Sequence, residues 1–497
     1  MSRIVVIGAG AGGLAAAARL AVKGHRVTLV EQGDAVGGKL RTYRREGFAF
    51  DTGPSLFTLP AVYRDLFLKT GGALEDAVDL RELEPAFRIR FADGATAVLP
   101  GVDPARCASA LGDALGGNAA DEWRALIQRA SSMWRITREP FLQSPLAGWR
   151  TLLSLARSPA DVQTVAPFTT LRALGTQFFS DPRLVTLLDR YATYTGSDPR
   201  KAPAVLATVP YVEQTFGAWH LGGGLGTLAT ALATRCEERG VEMRLSTPVT
   251  RIRTVDGVVR GVECADGTRI DADIVVANAD AGLVYGQLLA EEPRAARIAR
   301  DIEKTTPSLA GFVILAAVRG RTPGIEHHNV WFPADYDAEF DAIFGRRPEP
   351  VPDPTVYACV PDDPAMQPDG QEAWFILINA PRHGDGSAGT IDWRAPGRAE
   401  AYADRVLGIL AARGTDIRDR IIWRELRTPA DYEHEVRAPG GAIYGTSSNG
   451  SRAAFQRPAN ASPIGGLYLV GGSAHPGGGL PLVGMGAEIV AGLIGRA

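Results

Sequence analysis

Near the N-terminus, Gly8-Ala-Gly-Ala-Gly-Gly13 has the spacing of a loop that seats a pyrophosphate. An apolar run from Arg3 to Ile7 precedes it, and an Ala/Leu-rich stretch from about 12 to 23 follows, so the glycines fall between a strand and a helix. Gly8 permits the tight turn, Gly10 lets the backbone approach a pyrophosphate, and Gly13 lets helix and strand pack closely. The unpaired N–H groups at the helix N-terminus favour the negative charge. Glu31 stands 18 residues after Gly13, directly beyond the second strand. A carboxylate there accepts hydrogen bonds from the adenosine ribose hydroxyls and repels the extra phosphate of NADP.

Such a loop serves both NAD and FAD, and a second motif decides between them. Gly37 and Gly38 are followed by Lys39, Leu40 and Arg41, then by Asp51-Thr-Gly-Pro-Ser55. Two adjacent glycines let the backbone approach the longer FAD molecule, and Lys39 or Arg41 can offset its diphosphate charge. The plain alternative for these two cations is a solvated basic turn.

At these residues the chain resembles the flavoprotein superfamily that contains monoamine oxidases and carotenoid desaturases. The C-terminal run Gly471-Gly-Ser-Ala-His-Pro-Gly-Gly-Gly-Leu-Pro481 is similar to the tail signature of bacterial phytoene-desaturase-type enzymes. With Trp219-His-Leu-Gly-Gly-Gly-Leu-Gly226 in the middle, the resemblance extends over essentially the whole length. Three central stretches, His327 to Tyr336, Asp353 to Tyr357 and Leu377 to Pro381, look more like late desaturases acting on hydroxylated or methoxylated acyclic carotenoids than like the phytoene enzymes.

The resemblance implies an enzyme that inserts double bonds into a long polyene, with 3,4-desaturation of a 1-hydroxylated acyclic carotenoid as the expected reaction. A hydride leaves an allylic carbon for flavin N5, the polyene spreads the developing charge, and a proton leaves the neighbouring carbon. Oxygen or a quinone is the implied electron acceptor. The same resemblance implies FAD contacts at Gly8, Ala9, Gly10, Gly13, Glu31, Gln32, Gly38, Lys39, Leu40, Pro54 and Ser55. It adds the backbone of Val249 at the adenine, and Gly472 through Leu482 and Val483 at the isoalloxazine end. Ser473 stands where many of these proteins place an acid, which leaves the ribitol contact to backbone N–H groups. Competing readings are a phytoene desaturase, a carotenoid isomerase, a flavin amine oxidase, and a flavin-containing binding protein of the Rab-escort type. A tail holding Leu480, Leu482 and Val483 lacks the aromatic residues that would cage an amine.

Few polar groups are needed when the substrate itself stabilises charge. His475, in the Gly-rich tail, is a candidate to relay a proton or orient substrate, with a structural role as its alternative. Arg190 and Tyr194, in the run Arg190-Tyr-Ala-Thr-Tyr194, are candidates to lie near the reacting bond, unless that helix simply divides core from solvent. His327 and His328 are adjacent and lack metal-ligand spacing, so no metal is expected there, and nothing singles out His220.

The elements that must position these residues read as a mixed α/β chain. Strand, helix and strand over 3–7, 12–23 and 26–30 form a βαβ unit. Residues 105–200 look helical. Strands follow at 241–245, 249–254, 258–264 and 274–277, with hairpin turns at Asp256-Gly257 and Asp266-Gly267. Gly222 to Gly226 reads as a turn before a helix over 227–239. Residues 310–318 and 374–380 give further strands, and 467–470 with a helix from about 483 to 495 repeats the first βα unit. This pattern predicts a Rossmann-like FAD-binding domain from 1–70, 220–290 and 440–497. It adds a mixed-sheet substrate domain from 71–104 and 291–439, and a helical subdomain over 105–219.

The 497 residues are 45% hydrophobic and 22% charged, with 53 Lys+Arg against 56 Asp+Glu, so no basic field points to nucleic acid. Four cysteines stand far apart and read as reduced and structural. The chain opens directly into a strand without a leader-like segment, which predicts a cytoplasmic protein. A polyene enzyme is expected to dock peripherally on the inner face of the cytoplasmic membrane. Trp134, Trp149, Leu152, Leu153 and Leu155, interleaved with Arg135, Arg138, Arg150 and Arg157, have the composition of such an interfacial surface. The alternative is an amphipathic helix packed on the core.

Overall fold

The computed structural model describes residues 1–497 except 147, 149–157, 388 and 451. At its centre lies a parallel five-stranded sheet in the order Glu242–Arg244, Arg26–Val30, Arg3–Ile7, Ile274–Ala277 and Leu467–Leu469. Strand Arg3–Ile7 is buried on both faces after its first residue, which is why it reads as a continuous apolar run. Ile4 and Val6 face the helices Ala11–Val22, Gly226–Glu238 and Leu480–Ile494. Val5 and Ile7 face the antiparallel sheet formed by Val249–Val255, Val258–Cys264 and Arg269–Asp271. Helices, parallel sheet and antiparallel sheet thus make three layers, with strand ends from five separated stretches of chain converging on one edge.

A second sheet has seven strands, in the order Ile421–Arg427, Ala310–Arg319, Gln371–Ala380, Val356–Cys359, His328–Trp331, Phe87–Arg90 and Thr96–Leu99. It is antiparallel except where His328–Trp331 runs parallel to Phe87–Arg90. Phe312, Ile314, Trp374 and Ile376 pack one face against helix Arg398–Ala412. Val313, Leu315 and Phe375 pack the other against Phe48, Phe50 and Trp423. The hairpin Thr42–Arg45 with Phe48–Asp51 brings those two phenylalanines in, and its turn places Glu46 at φ 51° and Gly47 at φ 82°.

Helices Pro104–Leu115, Ala119–Thr137, Leu171–Phe178, Pro182–Arg190 and Thr208–Phe216 surround the fully buried Trp123. The Trp123 ring stacks on Phe179 at 5.6 Å, and its Nε1 donates to Gln214 Oε1 at 3.1 Å. That bond fixes the helix carrying Glu213, a cavity residue. Helix starts are set by Asp103, Thr170 and Asp181, whose side chains accept from backbone N–H groups of the first turn.

The structure corrects the sequence reading at several places. Ala218–Leu221, which no sequence pattern assigns to an element, forms a strand pairing with Phe57–Thr58 and Leu80–Glu82, directly before the expected turn at Gly222–Gly226. Strands this short carry no periodic signal. The strand expected over 241–245 is confined to Glu242–Arg244, and those begun at 310 and 374 run over Ala310–Arg319 and Gln371–Ala380. Trp134, expected at an interfacial surface, is buried against Phe216 while Arg135 and Arg138 are exposed. Trp149, Arg150, Leu152, Leu153, Leu155 and Arg157 lie outside the described residues. All four cysteines are free and buried.

Trp123→Ala should lower stability by about 3–5 kcal/mol in urea unfolding, because it leaves a large cavity and strands Gln214. Arg124→Ala, which loses an exposed pair with Asp121 and an exposed hydrogen bond to Ser109 Oγ, should stay within about 0.5 kcal/mol of the parent.

Candidate functional site

Gly8 leaves the first strand at φ 93°, a conformation that favours glycine. A Cβ there would lie 2.6 Å from Asn278 O, and one on Gly13 would be driven into the Gly8 carbonyl. Asn278 follows directly on the neighbouring strand. With its amide oriented to satisfy both ends, its oxygen accepts from Gly10 N–H and Gly13 N–H, each at 3.3 Å. Glu31 accepts from Ala9 N–H at 2.7 Å and Gly33 N–H at 2.8 Å, bracing the loop from the other side. The loop is therefore held open by its neighbours, with its glycines free of side chains.

The second loop meets the first where Gly37 N–H donates to Ala9 O at 2.8 Å. Lys39 Nζ donates to Ile443 O at 2.7 Å and Ala442 O at 3.3 Å, and burial holds its ammonium below the ordinary lysine range despite nearby Asp280. Arg41 pairs with Asp34 at 2.8 Å on the surface. Lys39 is thus a buried link between two loops rather than part of a solvated basic turn.

Three residues that the sequence reading passed over complete this end. Asp280 lines the cavity, and burial raises its carboxyl above the ordinary range, with Gly282 N–H, Lys39 and Arg457 opposing the shift. It lies three residues beyond the strand next to the tail, at the start of the short helix Ala281–Leu283, so a carboxylate stands near the position where Ser473 replaces the expected acid. Ser473 Oγ accepts from Ala281 N–H at 2.9 Å. Arg457 donates to Gly472 O at 2.8 Å and Tyr444 O at 2.9 Å, locking the tail turn to the segment before it. Tyr444 lies against Gly478 and lines the same cavity.

These loops open into one cavity of about 900 Å³. Of the residues implied as cofactor contacts, Gly8, Gly10, Glu31, Gln32, Gly38, Lys39, Leu40, Pro54, Ser55, Val249, Gly472, Leu482 and Val483 line it. Ala9 and Gly13 sit behind the lining. Beyond the loops the wall is apolar, with Leu56, Leu59, Trp134, Val205, Leu206, Val209, Val212 and Met485. The lining ends at Val162 and Phe168, which are 37% and 88% exposed. A separate polar stretch of wall contains Arg190, Tyr194, Glu213, Tyr357, Thr355 and Asn379.

The chain matches the flavin containing amine oxidoreductase family over residues 11–329. It belongs to that family. A 4,4'-diapolycopene oxygenase of Methylomonas sp is 32% identical over 98% of this chain and 97% of its own. A hydroxyneurosporene desaturase of Rubrivivax gelatinosus is 34% identical over 98% and 92%. A 1-hydroxycarotenoid 3,4-desaturase of Flavobacterium sp. (strain P99-3) is 32% identical over 99% of each chain. Among solved structures, an oxidoreductase from Methanosarcina mazei shares the fold, with a TM-score of 0.66 at 18% identity, covering 98% of this chain and 99% of that one.

The site fits the flavin of this family: a glycine loop at a helix N-terminus, a carboxylate beyond the second strand, and a cavity that continues past the loops along an apolar wall. Among the catalytic candidates, Arg190 and Tyr194 meet in the cavity wall, but His475 is not in the lining. Its Nε2 bonds Phe141 O at 2.8 Å and Ser144 O at 3.0 Å, tying the tail to the helical part, and burial lowers its pKa. His220 bonds Asp363 at 2.8 Å, also away from the lining. His327 and His328 have Cys359 nearby, with potential ligand atoms within 4.8 Å of one another. His328 Nδ1 is shared with the Tyr357 hydroxyl at 2.8 Å, and burial pushes His327 down to about 3.

Gly13→Ala should be purified without visible flavin absorbance. Gly492→Ala, in a helix with nothing within 4 Å of the added methyl, should keep its flavin and gain up to about 1 kcal/mol.

His475 supplies a pH test. The native state keeps it neutral below the ordinary value of 6.5, whereas the unfolded chain takes up a proton there, so stability from this group is lost as pH falls. The slope is about 1.4 kcal/mol per pH unit. His475→Gln should be less stable than the parent at pH 7, yet lose less between pH 7 and pH 5 in thermal unfolding. Equal losses would remove this account of the residue.

Proposed function

We propose that this protein is an FAD-dependent carotenoid desaturase that introduces the 3,4 double bond into a 1-hydroxylated acyclic carotenoid. The observation that carries the reading is the continuity of the cavity: the dinucleotide loops share one cavity with an apolar wall and a polar stretch. Similarity to a hydroxyneurosporene desaturase and a 1-hydroxycarotenoid 3,4-desaturase over nearly the whole chain supports the substrate class.

FAD, rather than a mononucleotide, suits two facing glycine loops with Glu31 at the far end. In this reading Gly8, Gly10 and Gly38 let the backbone approach the diphosphate, Glu31 takes the ribose, and Val249 borders the adenine. Asp280 and the turn at Gly472 serve the ribitol and ring end. A bound flavin would supply the two-electron hydride acceptor, with a proton lost from the neighbouring carbon and oxygen or a quinone as the final acceptor of the two electrons. The chain's own residues hold the polyene and exclude water. Leu56, Leu59, Val209, Val212 and Met485 offer no hydrogen bonds, so an extended hydrocarbon displaces water from them favourably.

The substrate partitions into bilayers, and the channel reaches the surface at Phe168, close to the exposed Val162. We read this as the mouth through which a peripherally docked enzyme takes its substrate. Among the described residues no helix is long and apolar enough to cross a membrane. Similarity to a 4,4'-diapolycopene oxygenase favours one second reading, oxygenation of a carotenoid of that class.

Expression in cells making 1-hydroxylated acyclic carotenoids should give pigments lacking two hydrogens per new double bond, by chromatography and mass. Cells making only phytoene should show no change. Conversion of phytoene would move the assignment to an early desaturase, and gain of oxygen would move it to an oxygenase.

A further inference from the structure

The polar stretch of the cavity wall has an unusual composition for a hydrocarbon channel. Arg190 closes helix Pro182–Arg190 and is 6% exposed. Its guanidinium carbon lies 5.2 Å from the ring centroid of Tyr194, 5.6 Å from Phe87, 5.8 Å from Tyr191 and 5.9 Å from Tyr357. Four π-faces favour the cation and the Tyr194 oxygen interacts with one of its donors, but five N–H groups call for more oxygen acceptors than that. Among the described residues Arg190 forms no ion pair. The nearest compensating charge is Glu213, 4% exposed, whose two oxygens already accept from the hydroxyls of Tyr191 at 2.7 Å and Tyr194 at 3.0 Å.

This cluster adjoins the turn assigned above to the cofactor. The Tyr357 hydroxyl is shared with Ser55 Oγ at 2.7 Å and with His328 Nδ1 at 2.8 Å. Arg190, Tyr194, Glu213, Tyr357 and Ser55 all line the one cavity. A buried cation with donors to spare, next to a carboxylate and linked through Tyr357 to the turn at Ser55, is matched by a small neutral group that both accepts and donates.

We propose that Arg190, Tyr194 and Glu213 form the subsite for the terminal oxygen of an acyclic polyene, with the guanidinium donating to that oxygen and the Glu213–Tyr194 pair receiving its hydroxyl hydrogen. The inference rests on the proposed function and deepens it, because it explains how a nearly featureless hydrocarbon is held in register. In a chain oxidised at carbons 3 and 4, an oxygen on carbon 1 is three covalent bonds from the nearer reacting carbon, about 4 Å in an extended chain. The oxygen subsite must therefore sit beside the reaction centre. An unoxygenated chain end would desolvate Arg190 without replacing its lost water, so the subsite selects against hydrocarbons. A methyl ether keeps the acceptor but loses the donor.

The test compares kcat/KM of the flavin-loaded enzyme for a 1-hydroxylated acyclic carotenoid and for the same chain without the hydroxyl, both in liposomes. The parent should prefer the hydroxylated chain by at least about 100-fold. Removing Arg190 alone would leave Glu213 uncompensated, so the variant is Arg190→Met with Glu213→Gln, backed by Tyr194→Phe, which preserves the ring. Preference should fall to within about 10-fold in the double variant and fall measurably in Tyr194→Phe, with the change in KM for the hydroxylated chain exceeding that in kcat. Flavin-loaded variants that keep the parent's preference, or lose both substrates equally, would overturn the subsite while leaving the desaturase reading intact. A parent that does not convert the hydroxylated chain would overturn that reading and the subsite with it. If the double variant lacks flavin, Tyr194→Phe decides between the same two results.

Discussion

The close approach of Asn278 to the loop at Gly8–Gly13 is the constraint on which the site depends. Two parallel strands end side by side, and the side chain leaving one must fill the concavity of the turn leaving the other. No Cβ fits at Gly8 or Gly13 in that arrangement. Glu31 braces the same loop from the next strand, and Ser473 ties the following segment to Ala281. Three stretches separated by hundreds of residues are thereby fixed at one sheet edge, where ligands of open parallel sheets are bound.

The rest of the molecule builds a second environment against that edge. Hydrocarbon walls come from the helical part and from the segment after Pro54, while the polar groups come from the end of Pro182–Arg190, the middle of Thr208–Phe216 and the seven-stranded sheet. Burying a cation and a carboxylate together is expensive unless their geometry is satisfied. Here the tyrosines satisfy Glu213 and enclose Arg190, leaving the guanidinium donors as the feature a ligand would complete. His475, by contrast, is buried and commits Nε2 to structure, joining tail to helices.

What was legible in the sequence was local. The first βαβ unit, the tail strand and helix, and the two Asp-Gly hairpins each carry their signal within a few residues, and the structure has them within a residue or two, apart from the tail helix, which begins at Leu480 rather than about 483. Asp280 was not legible because its role depends on strand order: a residue in the loop after Ile274–Ala277 matters only once that strand lies between Arg3–Ile7 and Leu467–Leu469. Glu213 looks like any mid-helix acid until Tyr191 and Tyr194 are packed on it. Trp134 misled for the opposite reason, since an indole among arginines has the same composition whether it faces lipid or, as here, a neighbouring helix and the cavity. Lys39 was singled out for its charge, yet its placement on the carbonyls of Ala442 and Ile443 needed the fold.

The central claim is that a bound flavin takes hydride from a terminally oxygenated polyene, and anaerobic single-turnover mixing tests it most directly. Purified holoenzyme mixed with a 1-hydroxylated acyclic carotenoid in the absence of oxygen should bleach one flavin for each double bond formed. Product formed without bleaching, or bleaching and product only when oxygen is admitted, would contradict the account.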